Sequence, residues 1–168
     1  MKEKVLVSIV MGSDSDLPVA KNTTEVLDKM RVEYEVKILS AHRTPDATAK
    51  YAKELQKRGI EVVIALAGGA FHLAGVIAAY TTLPVIAVPL AVPPFDGLDS
   101  FLSTLQMPRG IPVAVMAVGK WGATNAGIFA SEILALRYPP IKESLIQMRK
   151  EFAQKVSEQN KKLSCKKK

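Results

Sequence analysis

Tyr34-Glu35-Val36-Lys37-Ile38-Leu39-Ser40-Ala41-His42-Arg43-Thr44-Pro45 decides the fold, because it reads as a strand that hands over directly to a helix. Tyr34 to Leu39 is the short strand. Thr44 is a good N-cap, and Pro45 suits the first helical position, where its missing N–H costs nothing. His42, one of only two histidines in the chain, stands at the junction beside Arg43. An imidazole and a guanidinium therefore sit at the carboxyl end of a strand, the edge where parallel α/β sheets bind ligands. A lone His-Arg pair on a turn is as often accidental surface as a site, so the rest of the chain has to decide.

Four further apolar runs surround this one: Val5–Met11, Val62–Leu66, Val85–Val88 and Val113–Val118. They are near-continuous aliphatic stretches, as expected of strands buried on both faces of a parallel sheet. Helix-length segments alternate with them: Leu17–Met30, Pro45–Arg58 with a stop at Gly59, Phe71–Tyr80, Leu98–Leu105 and Thr124–Tyr138. Alternating βα units imply a three-layer, doubly wound sheet of five parallel strands. In the flavodoxin-like order 2-1-3-4-5, the loops after strands 1, 2 and 3 converge on one crevice.

The expected division is an α/β domain over residues 1–140, an amphipathic helix over 141–163 and a basic tail over 164–168. After Pro139-Pro140, the residues Ile141, Leu145, Met148, Phe152 and Val156 recur at helical spacing among Lys, Glu, Gln and Arg. This single apolar stripe either packs on its own sheet or on a neighbouring subunit. The double proline separates it from the preceding helix and five βα units are already present, which favours the neighbour and a homo-oligomer.

Composition removes several functions. The net charge of +7 comes almost wholly from residues 141–168, which hold nine Lys/Arg against three Asp/Glu. The first 140 residues are close to neutral, with fourteen against thirteen, so no nucleic-acid partner is expected. The only cysteine, Cys165, excludes an internal disulfide framework and a thiolate metal cluster. Val5–Met11 is too short and too closely flanked by charge for a secretion signal, and no run approaches membrane-spanning length. A soluble, cytoplasmic protein with no membrane partner is the expectation.

Three loops carry the chemistry. Gly12-Ser13-Asp14-Ser15-Asp16 follows strand 1 and either caps the next helix or binds a phosphate and a ribose. Two carboxylates repel phosphate, so at least one should face elsewhere. The motif is neither a Walker A loop nor G-x-G-x-x-G, and gives ATP or NAD no support. Ala67-Gly68-Gly69-Ala70-Phe71-His72-Leu73-Ala74-Gly75 follows strand 3, where paired glycines let a ligand approach the backbone. His72, taken alone, is more often a satisfied core residue than a catalytic one. The crevice joins phosphate chemistry to an imidazole and leaves room for a flat ring.

From Val5 to about Tyr138 the chain resembles the class I branch of the bacterial N5-carboxyaminoimidazole ribonucleotide mutase (PurE) family of purine biosynthesis. The likeness rests on GSDSD, SAHRTP, AGGAFHLAG, LPVIAVPL, GLDSFLSTLQMPRGIPV and GKWGATNAG, in that order. The related class II carboxylases typically carry Lys where Arg43 stands. The resemblance implies an isomerase that moves a carboxylate from N5 to C4 of an imidazole ribonucleotide without ATP, metal or organic cofactor. It implies His42 as general acid and then base around a trapped CO2. Imidazole can serve both steps because its charge changes near neutral pH. By motif position Ser13 and Arg43 would meet the phosphate and Asp16 the ribose. Ser40, Gly69, Ala70 and Leu73 would line the ring and CO2 pocket, with His72 in support. The resemblance also implies a homo-octamer. The family usually has Ala at Phe71 and Pro at Ala74, and the phenyl ring would either narrow the pocket or fill core.

Two rivals remain on the same scaffold. One is direct carboxylation of aminoimidazole ribonucleotide with CO2, separable by substrate preference. The other is a non-catalytic nucleotide-binding or regulatory module, which would not require His42.

Overall fold

Continuous aliphatic runs become strands because an interior sheet lets them bury both faces. A computed structural model describes residues 4–165, so the expected basic tail lies outside the described residues from Lys166 onward. β1 (Val7–Met11), β2 (Tyr34–Ile38), β3 (Val62–Gly68), β4 (Val85–Leu90) and β5 (Ala114–Val115) form one parallel sheet in the order β2-β1-β3-β4-β5. β1 and β4 are buried throughout, whereas edge strand β2 is half-exposed. The last strand is shorter than the expected Val113–Val118. Beyond Val115 the chain touches β4 through the Met116 N–H on the Ala87 carbonyl (2.9 Å) and the Gly119 N–H on the Pro89 carbonyl (2.8 Å). Pro89 has no N–H to donate to a neighbouring strand.

Among the described residues six α-helices connect and cover the strands: α1 (Leu17–Met30), α2 (Pro45–Glu54), α3 (Leu73–Tyr80), α4 (Leu98–Leu105), α5 (Lys120–Ala135) and α6 (Pro139–Cys165). α2 is shorter than expected because its end tightens into a 3₁₀ turn over Gln56–Arg58, which stops at Gly59 with φ +89°. α5 begins four residues before the expected Thr124, directly after Gly119. α1 and α5 cover one face and meet through small residues, with the buried Thr23 hydroxyl donating to the Ala123 carbonyl at 2.9 Å. α2 and α3 cover the other face, and α4 lies over β3, β4 and β5.

The stripe on α6 divides in two. Ile141, Leu145 and Met148 are buried in the core shared with α1, α5 and the sheet of their own chain. Phe152 and Val156 are 47% and 56% exposed. No helix of the described residues is long and apolar enough to cross a membrane.

Candidate active site

The sheet order reverses at β1, so the loops leaving β1, β2 and β3 open on a common crevice of about 430 Å³. Its lining includes Ser13, Asp16, Ser40, His42, Arg43, Gly69, Ala70, His72 and Leu73, every residue expected at the site from sequence. A wider groove of about 590 Å³ at the opposite edge of the sheet, between the ends of α2 and α3, holds Lys53 and Tyr80 but neither histidine nor carboxylate. Both histidines lie with the smaller crevice.

Ser13 and Asp16 form a reciprocal cap. The Asp16 carboxylate accepts the Ser13 N–H at 3.1 Å, and the Ser13 hydroxyl accepts the Ser15 N–H at 3.4 Å while donating to Asp14 at 3.0 Å. The structural reading of this loop is thus realised, and the same side chains still face the crevice. Asp14 lies outside the lining, so one carboxylate does turn away. Burial holds the Asp16 carboxyl above its ordinary range, against hydrogen bonds from the Ser13 backbone, Ser15 and the Gly12 backbone, with Asp14 adding to the rise.

The loop after β2 is knitted around Ser40. Its hydroxyl accepts the Arg43 N–H at 3.1 Å, and its carbonyl accepts the Thr44 and Thr48 hydroxyls at 3.1 and 3.2 Å. Thr44 is the N-cap of α2, yet its side chain bonds back to Ser40 instead of forward into the helix. Arg43 Nη2 donates to the Gly12 carbonyl at 2.9 Å, joining this loop to the loop after β1.

The loop after β3 turns through Gly69 at φ +65°, a conformation that favours glycine. At Gly68 a Cβ would fall 2.3 Å from Val92 Cγ2, so the chain after β4 closes directly over this glycine. Val92 lines the crevice as well, a residue that reading the motifs alone overlooks. The signal for it is positional: β4 pairs with β3, so the residues after Leu90 must lie beside Gly68.

The two histidines meet across the crevice. His42 Nε2 and His72 Nδ1 are 2.8 Å apart, the rings edge-to-face with centroids at 4.9 Å. One of the two nitrogens carries the shared proton. Phe71 is 1% exposed and packs in the core with Leu73, Ala74 and Ile77, so its ring fills core and does not narrow the crevice. Among the described residues no three His, Cys, Asp or Glu side chains converge as a metal site.

Residues 6–155 match the family model described as AIR carboxylase. The chain is 53% identical to the N5-carboxyaminoimidazole ribonucleotide mutase of Pyrococcus horikoshii, over 96% of this chain and 90% of that protein. It is 48% identical to the mutase of the same name from Thermotoga maritima, over 94% and 91%. The crystal structure of Treponema denticola PurE superposes with a TM-score of 0.85 at 32% identity, covering 94% of this chain and 98% of that one. With a family model spanning nearly the whole sheet and helices, and relatives alike over almost their full length, the chain belongs to the AIR carboxylase family.

Proposed function

We propose that this chain is an isomerase of purine biosynthesis that converts N5-carboxyaminoimidazole ribonucleotide to 4-carboxy-5-aminoimidazole ribonucleotide in this crevice. The observation that carries the reading is the junction of His42, Arg43, Ser13 and Asp16 with the Gly-Gly loop at one sheet edge, in a chain about half identical to mutases. Arg43 and Ser13 hold the phosphate, Asp16 accepts from the ribose hydroxyls, and Ser40, Gly69, Ala70 and Leu73 surround the ring. His42 gives a proton to N5 as the N–C bond of the carbamate breaks, releasing CO2 and a neutral amine. The enamine-like C4 then attacks CO2, and His42 takes the C4 proton so that the ring regains aromaticity. The proton balance is zero and no cofactor enters. Such proton transfer is typically worth about 10²–10⁴ in rate, and holding CO2 against C4 supplies the proximity term.

Self-association belongs to the same proposal, with an octamer as the assembly and the cytoplasm as the compartment. Leu98, Leu102 and Leu105 form an exposed apolar stripe on α4, and Trp121, at the start of α5, is 82% exposed. Phe152 and Val156 on α6 add a second unpartnered face, which fits packing on a neighbouring subunit. Sedimentation equilibrium of the wild type and of Leu102→Asp measures the assembly. A monomeric wild type would overturn the octamer.

The function is tested by ¹³C NMR with substrate labelled at the N5 carboxylate, in unlabelled bicarbonate without ATP or metal, beside His42→Asn. Label arriving at C4 with little dilution, and only with His42 present, is the expected result. Product formed only from aminoimidazole ribonucleotide and bicarbonate would make the enzyme a direct carboxylase. No turnover of either compound would leave a binding site.

A further inference from the structure

We propose that Ser103, on α4 and outside the crevice lining, is a positioning residue for the His42–His72 pair. Its hydroxyl oxygen accepts the Phe71 N–H at 3.0 Å and donates its own proton to the Ser100 carbonyl at 3.2 Å. A hydroxyl has one proton and two lone pairs, so both bonds stand together. Ser100 is buried and directs its hydroxyl at the Leu90 and Gly97 carbonyls, 2.9 and 3.0 Å away, which ties α4 to the end of β4. Ser103 passes that anchor on to the loop between β3 and α3.

Phe71 is the residue immediately before His72, and it is held twice. Its ring is buried in the core, and its N–H is held by Ser103. The loop behind it turns through Gly69 at φ +65°, a residue with no side chain to hold it, so a restraint from outside the loop has consequences. The carried element is His72, whose Nδ1 faces His42 Nε2 at 2.8 Å. Which nitrogen of an imidazole bears the proton is set by the partner of the other nitrogen. Ser103 therefore acts on His42 through Phe71 and His72, touching neither imidazole. Back-bonding of a helical serine to the preceding turn is common and explains the bond to Ser100. It does not explain the bond to Phe71.

This inference deepens the proposed role of His42, and its first readout needs no turnover. Long-range ¹H–¹⁵N spectra report the tautomers of His42 and His72 in the substrate-free protein, for the wild type, Ser103→Ala and Ser103→Thr. Position 103 is exposed, which leaves room for the extra methyl of threonine. Ser103→Ala is expected to shift the ring-nitrogen signals of both histidines and move the pH profile of kcat. It should also lower kcat about tenfold, part of what an acid–base group supplies, with KM within about twofold. Ser103→Thr is expected to restore all of these. Wild-type histidine signals in Ser103→Ala would overturn the proposal, as would a loss of kcat accompanied only by a lower Tm. Threonine failing to rescue would overturn it too. Shifted histidine signals in a protein that turns over neither compound would keep the coupling and overturn the mutase reading alone.

Discussion

The Arg43 guanidinium donates to the Gly12 carbonyl at 2.9 Å and so fastens the loop after β2 to the loop after β1. Its Nε also points at the Ser40 hydroxyl, 3.4 Å away. A planar fork can hold a carbonyl with one N–H and still offer others to a phosphate, which a lysine ammonium on a flexible stem does less well. Arg43→Lys is therefore expected to raise KM by roughly 10-fold or more, with a smaller change in kcat. Steady-state kinetics on the N5-carboxylated substrate measure this. An unchanged KM would remove Arg43 from the phosphate site.

Asp16 has a cost as well as a use. Its folded pKa is raised above 3.8, chiefly by burial, so the folded chain binds that proton more tightly than the unfolded one. The contribution to stability falls as pH rises from 3.8 through the raised value and stays lower at neutral pH. Asn removes the charge and keeps an acceptor for the Ser13 N–H. Asp16→Asn is expected to raise Tm at pH 7 by roughly 1–2 °C, an advantage that fades below about pH 4. Nucleotide affinity should fall at least about tenfold, since a charged acceptor is lost. Calorimetry from about pH 3.5 to 7.5 is the check; a lower Tm at neutral pH would show that the cap outweighs burial.

Glu61 behaves in the opposite sense. Burial pushes its carboxyl up, but the Tyr138 hydroxyl at 2.6 Å, Lys4 at 3.2 Å and Arg137 at 3.5 Å outweigh that and leave it below 4.5. Its contribution is therefore complete above pH 4.5 and is lost as pH falls through the lowered value. Exposed Lys4 and Arg137 add little, so most of the effect is the bond to Tyr138. Glu61→Gln is expected to cost about 1 kcal/mol at pH 7 and to flatten the acid limb of the stability curve. Urea titrations at about pH 7 and pH 4 give both quantities, and an equal loss at the two pH values would contradict the assignment.

Most of the sheet was legible because burial on both faces writes a continuous aliphatic run, as in Val62–Leu66 and Val85–Val88. β5 was legible only as a run; its ladder stops at the Ala87–Val115 pair, and Pro89, further along β4, has no N–H with which to extend it. The start of α5 was hidden because Gly119-Lys120-Trp121-Gly122 looks like a loop until Gly122 is seen packing on Ala117. The meeting of Ser13, His42 and Gly69 followed from strand order alone, since loops at one edge of adjacent strands must converge. Strand order does not give side-chain direction. The bond between His42 and His72, the closure of Val92 over Gly68 and the burial of Phe71 all depend on it. The division of the α6 stripe was hidden for a related reason: spacing gives a face, but not where its covering ends.

Two glycines should answer the same substitution differently. At Gly122 an added Cβ would lie 1.6 Å from the Ala117 carbonyl oxygen and 2.6 Å from its carbon, both backbone atoms. Neither can yield without moving the start of α5 off the chain that leaves β5, so Gly122→Ala is expected to cost about 3 kcal/mol or more through overpacking. At Gly69 an added Cβ meets nothing within 4 Å, but φ is +65°. The penalty there is conformational, about 1 kcal/mol, and falls on the loop that carries Ala70 and His72. Gly122→Ala should therefore lose soluble folded protein, measured by circular dichroism and urea titration. Gly69→Ala should keep most of its stability while losing a larger share of kcat. The reverse ranking, with Gly122→Ala stable and Gly69→Ala unfolded, would mean that close packing at α5 constrains this fold less than the strained turn at its site.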